Sequence, residues 1–300
     1  MKLLLAVDSV ASAELVASNI AARRWGPGTR VRVLTVIDYA LIPVELANET
    51  GGQMRLIRPE MEKQARPVTA RAMELLRQYG LEAEEQISGG DPRDVIVDRA
   101  EEWGADFIFV RSHVYTDLSR WMLGSVAQEV LRRATCSVGI VRAATDDDAG
   151  DIRGGMRILV ATDGSEYSLA ASRSVSERPW PEGTEVKVIS VINPNVRSVY
   201  GVAEVLVTPE GEPEGLQASV EEAVQIVSSS GLKANGETAI GSAKYLIVKR
   251  AKEWNAHLVV VGSHGRRGSK RLFLGSVSEF VANNAHCSTE VIRIARTERL

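Results

Sequence analysis

The sequence predicts an α/β protein built as two tandem, doubly wound parallel-sheet domains. Three observations carry this. The chain repeats itself at a nearly fixed offset, each copy alternates short apolar runs with amphipathic stretches, and runs such as Leu258-Val259-Val260-Val261 are apolar without alternation. A strand covered by helices on both faces has no solvent side, so it reads as an unbroken hydrophobic run. The 300 residues, set against a typical domain of about 150, leave room for two such units, each able to bury its own core.

The offset is read from Cys136 and Cys287, which lie 151 positions apart in matching surroundings. Ser112-His113 answers to Ser263-His264, Leu123-Gly124-Ser125-Val126 to Leu274-Gly275-Ser276-Val277, Glu102-Trp103 to Glu253-Trp254, and Gly90 to Gly241. The opening Leu4-Leu5-Ala6-Val7-Asp8 returns as Leu159-Val160-Ala161-Thr162-Asp163 at a slightly larger offset. An acidic stretch without periodicity, from Ala144 to Gly155, separates the copies and reads as a solvated linker. The expected division is therefore 1–143, a linker over 144–155, and 156–300.

Within the first copy, strands are expected at Leu3–Val7, Val31–Ile37, Glu84–Ile87, Phe107–Val110 and Ser137–Val141. Helical spacing appears around Leu15 and Ile20, around Met73, Leu75 and Leu76, around Val95, Ile96 and Ala100, and around Val126, Val130 and Leu131. The second copy gives strands at Arg157–Ala161, Glu185–Ile192, Leu232–Thr238, His257–Val261 and Thr289–Ile294, with helices over 166–177, 214–229, 242–253 and 276–284. The connections Asp38–Pro59 and Asn193–Gly215 are too long for tight turns, and the second reads as a candidate lid.

Composition removes several function classes. The net charge of -3, from 36 basic and 39 acidic residues, does not suit a general nucleic-acid binder, which needs a basic excess or a basic face. Two cysteines are too few for a disulfide framework and fit a reducing compartment. The four His and two Cys do not have zinc-ligand spacing. Leu3–Val7 imitates a secretion signal, but Asp8 ends the apolar run short of the about 7 to 15 residues such a signal needs. No run approaches the roughly 20 apolar residues that span a bilayer, and a cytoplasmic protein is expected.

In doubly wound sheets ligands bind beyond the carboxyl ends of the strands. After the strand ending at Val261 comes Gly262-Ser263-His264-Gly265-Arg266-Arg267-Gly268, then Gly275-Ser276-Val277 opening a helix. Glycines let backbone N–H groups approach phosphate oxygens, and a helix start offers unpaired N–H groups and a positive dipole end. The same loop also reads as a surface turn with a solvated basic patch. Ser276 either caps the helix or donates to a phosphate.

Gly262, Gly265 and Gly275-Ser276 fit G-x2-G-x9-G-[ST], the nucleotide motif of the universal stress protein family, and the chain resembles a tandem member of it over nearly its whole length. The resemblance implies a Rossmann-like, adenine nucleotide α-hydrolase-like fold. It also implies an ATP site formed by Ala161, Asp163, Val191, Val261, Gly262, Gly265, Arg266, Gly275, Ser276 and Val277, with Mg or Mn held through the phosphates. Asp163 suits ribose hydroxyls or the metal, and equally suits capping the helix that follows Gly164-Ser165. Family members commonly pair through their last strands, which points to Ser137–Val141 and Thr289–Ile294 as edges for a homodimer or an internal pseudo-dimer.

The first copy departs from the motif. Arg111 stands for the first glycine and Val114 for the second, while Gly124-Ser125 keeps the helix start. A β-branched residue disfavours positive φ, so this half is expected not to hold ATP in the same way. Ser88-Gly89-Gly90-Asp91 reads as a strand-to-helix turn, with Asp91 capping and Pro92 at the first helical position. No catalytic triad can be assembled, and His264 is the one candidate base near the loop. The expected function is an ATP-binding regulatory or protective stress protein with the nucleotide in its second domain. The alternatives are a slow ATPase or phosphoryl-transfer enzyme and a nucleotide-independent interaction module.

Overall fold

The computed structural model describes residues 1–42, 48, 53–112, 123–143, 154–192, 214–265 and 274–294. These form two compact units, one within Met1–Val141 and one within Arg142–Leu300. The linker stretch 144–153 and the candidate lid over 193–213 lie outside the described residues.

The first unit runs β1 (Lys2–Ala6), α1 (Val10–Ala21), β2 (Arg30–Ile37), a 3-10 turn (Tyr39–Leu41), α2 (Met54–Gln78), β3 (Glu82–Gly89), α3 (Pro92–Trp103), β4 (Phe107–Arg111), α4 (Ser125–Arg133) and β5 (Ser137–Val141). Its strands lie in the order β3-β2-β1-β4-β5, all parallel. The second unit runs β6 (Arg157–Ala161), α5 (Glu166–Ser176), β7 (Glu185–Ile192), α6 (Glu214–Ser228), β8 (Lys233–Ile240), α7 (Ala243–Glu253), β9 (Leu258–Gly262), α8 (Ser276–Asn284) and β10 (Ser288–Ile292). Its order, β8-β7-β6-β9-β10, is the same winding. Both units are the doubly wound sheet that the unbroken apolar runs predict.

The cause is visible in burial. Leu3, Leu4 and Leu5 in β1 and Leu258, Val259 and Val260 in β9 have no exposed surface, as central strands between two helical layers require. The outer strands β3 and β8 are instead half-exposed and carry Glu82, Glu84 and Glu85 or Lys233 and Glu237, charges that discourage further strand pairing. Helix starts follow local chemistry: Ser9, Asp91 and Ser165 are N-caps whose side chains accept backbone N–H bonds, with Pro92 at the first helical position. Arg93 donates to Asp91 from backbone and side chain and holds the carboxyl down at about 2.

One connection differs from expectation. Asp38–Pro59 is not a single long loop, because Tyr39–Leu41 forms a turn and α2 already begins at Met54. Pro59 and Pro67 both lie inside that helix. A proline there removes one intrahelical hydrogen bond, but α2 packs along α1, β2 and β3, and this packing outweighs the local loss. Cys136 and Cys287 occupy matching places between helix and last strand and are both half-buried.

The two cores solve one problem differently. Each carries a buried arginine after its first helix, Arg23 or Arg178, followed two residues later by a tryptophan whose Nε1 donates to a helix carbonyl. In the second unit, Arg178 meets Glu290 of β10 at 3.2 and 2.7 Å, with the side chains 4 % and 0 % exposed. In the first, the place of Glu290 is taken by Gly139, where a Cβ would fall 2.3 Å from the Phe109 ring, and Arg23 lies over that ring. Removing one member of a buried ion pair strands the other charge. Glu290→Ala is expected to lower the unfolding free energy by about 3–5 kcal/mol, measured by urea titration of the full chain. Val260→Phe combined with Glu290→Gly, which copies the first unit, should recover part of that loss.

Candidate functional site

In the second unit β6 and β9 are neighbours, Ala161 opposite Val261. The chain winds outward from them in opposite directions, to β7 and β8 on one side and to β10 on the other. Their carboxyl ends therefore open the crevice where open α/β sheets bind ligands. Thr162-Asp163-Gly164-Ser165 leaves one strand there and Ser263-His264-Gly265 the other.

The β6 side is fixed by hydroxyls. Gly164, at φ 72°, turns the chain so that its N–H donates to Thr162 Oγ1 at 3.2 Å. The Ser165 N–H donates to Asp163 Oδ1 at 3.0 Å, and Ser165 Oγ caps α5 by accepting from Ser168 N. Ser168 Oγ lies at the centre: it accepts from Asp163 N at 3.3 Å, shares a hydrogen bond with Thr162 Oγ1 at 3.1 Å and donates to the Ser165 carbonyl at 2.9 Å. Asp163 thus shapes the turn while Ser165 is the cap, which decides between the alternatives left open for Asp163 as far as capping goes.

The β9 side is closed by bonds to its backbone carbonyls. The Gly275 N–H donates to the Ser263 carbonyl at 2.8 Å, and Ser278 Oγ donates to the Gly262 carbonyl at 2.5 Å. The start of α8 is thereby drawn onto the end of β9. Gly275 is the N-cap and has no side chain to supply, Ser276 is exposed at the first helical position and Val277 is half-buried. Ser276 therefore does not cap. The first N–H groups of α8 have no intrahelical acceptor and sit at the positive end of its dipole. His264 Nδ1 is 3.0 Å from Ser263 Oγ, and its ring lies 4.9 Å from that of Tyr167.

From sequence, the glycines read as room for phosphate oxygens; in the structure each also has a protein neighbour. A Cβ on Gly262 would fall 2.5 Å from the Tyr167 carbonyl oxygen and 2.8 Å from Ser168 N. On Gly265 it would fall 2.6 Å from Asp163 Oδ2, and on Gly275 3.0 Å from the Ser263 carbonyl oxygen. The first lets the opening turn of α5 rest on β9, and the second lets the loop rest on the acid.

Ala161, Asp163, Gly262, Gly265, Gly275 and Ser276 therefore converge at one end of the sheet. Val191 lies near the carboxyl end of β7, the strand beside β6, whereas the Val261 side chain is buried in the sheet at 3 % exposure and offers the crevice only its backbone. Arg266 lies outside the described residues. Sequence reading missed Thr162, Tyr167 and Ser168; the signal was a serine at the position three after the capping Ser165, where a capping box has Glu or Gln.

The first unit keeps little of this. Val7 replaces Thr162, Ala11 replaces Tyr167 and no residue answers to Gly164. Asp8 is exposed and accepts from Ser9 Oγ at 3.1 Å, and Arg111 closes β4 where Gly262 closes β9. Gly124 still opens α4 without a side-chain cap. His113 and Val114 lie outside the described residues.

Comparison with known proteins agrees with this picture of two copies. The model of the universal stress protein family matches residues 1–142 and again 156–293. The chain is 26 % identical to universal stress protein Rv2005c of Mycobacterium tuberculosis over 285 residues, 91 % of this chain and 89 % of that one. It is 31 % identical over 144 residues to universal stress protein MJ0531 of Methanocaldococcus jannaschii, covering 47 % of this chain and 84 % of the relative. A crystal structure of a universal stress protein from Archaeoglobus fulgidus superposes with a TM-score of 0.69 at 21 % identity, covering 97 % of this chain and 98 % of that one.

The contact at Gly262 is with backbone, which cannot swing aside. Gly262→Ala is expected to cost about 1–3 kcal/mol of stability, the usual scale of overpacking, read as a lowered urea midpoint with an unchanged slope.

Proposed function

The chain belongs to the universal stress protein family, and on that premise we propose that its second repeat binds ATP while the first serves as a structural or signalling partner. The observation that carries the reading is the convergence at the β6/β9 crevice. An oriented carboxylate, Asp163, stands beside a glycine loop that ends on an uncapped helix start at Gly275-Ser276. The N–H groups at that start, with Gly265 and Arg266 of the loop, would hold the phosphates. Ala161, Val191 and the backbone of Val261 and Gly262 would line the adenosine side, and Val277 would flank the phosphates.

A divalent ion fits the same arrangement. No cluster of three or more His, Cys, Asp or Glu stands ready for a metal among the described residues, so Mg or Mn would rest mainly on the phosphates with Asp163 beside it. Magnesium is commonly held this way, by one or two carboxylates plus substrate phosphates. The reading is of a binder, with slow hydrolysis as its alternative, for which His264, whose Nδ1 lies 3.0 Å from Ser263 Oγ, is the candidate base. We place the protein in the cytoplasm, in keeping with its two cysteines, too few for a disulfide framework; no helix among the described residues is long and apolar enough to cross a membrane. Pairing through the last strands Ser137–Val141 and Thr289–Ile294, as a homodimer or an internal pseudo-dimer, stays part of this proposal.

Calorimetry with Mg-ATP is expected to give one site per chain, because the first repeat has Arg111 and Val114 in place of the first two motif glycines and lacks the Thr162 hydroxyl. Two equivalent sites would overturn that assignment. Gly265→Ala pushes against a side chain rather than backbone, so it should weaken ATP by about tenfold or more, a change worth about 1.4 kcal/mol, while leaving the melting temperature in place. Absence of adenine nucleotide from the natively purified protein, together with no heat on titration, would favour a nucleotide-independent interaction module.

A further inference from the structure

The third helices of the two repeats keep the same inward face and reverse the outward one. Ile96, Ala100 and Trp103 on α3 answer to Ile247 and Ala251 on α7 and Trp254 at its C-cap, and the glycines before both helices, Gly90 and Gly241, share positive φ. The outward stripe at i, i+4 and i+7, one face of a helix, reads Asp94, Asp98 and Glu101 on α3. On α7 it reads Tyr245, Lys249 and Lys252, and all six residues are exposed. The neighbouring helix changes in step. Arg133 of α4 pairs with Asp94, whereas Phe280 of α8 meets Tyr245 edge-on with centroids 5.0 Å apart. Tyr245 remains 65 % exposed and Ile240, the last residue of β8, 62 %.

One chain thus presents two helix faces of matching build and opposite charge. We propose that the α7 face of one copy docks on the α3 face of a second copy, head to tail. Lys249 and Lys252 meet Asp98 and Glu101, and the Tyr245–Phe280 pair receives the guanidinium of Arg133, a cation suited to an aromatic face. An α7-to-α7 contact is disfavoured because it sets lysine against lysine. Contact between two different patches is not self-limiting unless a ring closes, so the species grow with concentration and do not stop at a dimer. This separates the association from two-fold pairing through a last strand, and it does not depend on ATP. Its exposed ion pairs also make it salt-sensitive.

The test is sedimentation velocity of the full chain over rising concentration at about 0.05 M and about 0.5 M salt. Association beyond dimer is expected at low salt and its loss at high salt. Lys249→Glu with Lys252→Glu, and separately Asp98→Lys with Glu101→Lys, should each weaken association by at least about tenfold. Mixed in equal amounts, the two variants should associate again, because the intact α7 face of one meets the intact α3 face of the other and the two altered faces carry reversed but still complementary charges. If a double variant fails to fold by circular dichroism, Tyr245→Asp, the residue of the first repeat, carries the same expectation. The proposal is overturned by a species of fixed size at every salt, by variants that associate normally, or by a mixture that does not recover. Cosedimentation with phosphatidylserine vesicles, lost in the lysine variant while self-association is absent, would assign the face to membranes and overturn it as well.

Discussion

The crevice in the second repeat depends on one close approach, the opening turn of α5 resting on the last residue of β9. Gly262 permits it by having no side chain, and its carbonyl in turn accepts from Ser278 of α8. Two helices that leave the sheet in different directions are thereby referred to one backbone position. The hydroxyls of Thr162 and Ser168 then set the turn holding Asp163, and Gly265 lays the loop against that carboxylate. Remove the first contact and the others lose their common frame, because each is measured from the same strand end.

Duplication lets the two halves be compared as alternative answers to the same packing. Arg23 and Arg178 are buried alike, yet one lies over Phe109 and the other faces Glu290. The strand register explains why the exchange takes two positions together: Phe109 stands opposite Gly139, and Val260 opposite Glu290. A large ring requires a glycine across from it, and a small valine leaves room for a carboxylate. An ion pair as buried as Arg178–Glu290 contributes modestly against an apolar substitute, since desolvation offsets most of the attraction.

The fold was legible because its signal is local and repeated. An apolar run four or five residues long, bracketed by a helical pattern on each side, has few ways to be buried, and seeing it twice removes the accidents of either copy. The site was legible only in part. Gly262, Gly265 and Gly275 stand out by spacing, but the neighbours of the first two, Tyr167 and Asp163, come from a distant segment, and Ser263 meets Gly275 only when the loop folds back. Ser168 was missed for a different reason: Thr162 and Asp163 are close to it in sequence, but its hydroxyl reads as one more serine in a helix until the turn at Gly164 folds them onto it. The start of α2 was misplaced because proline is a strong local stop signal, and only tertiary packing along α1 and β3 overrides it.

Gly164 has no partner in the first repeat, so the connection from β1 to α1 is one residue shorter than that from β6 to α5. A substitution can supply glycine at Arg111 or Val114. It cannot supply the extra residue, since the strand and the helix on either side are already packed and the turn between them has no left-handed pivot. The two halves are therefore separated by a change of length, and point mutation alone cannot give the first half the geometry of the second.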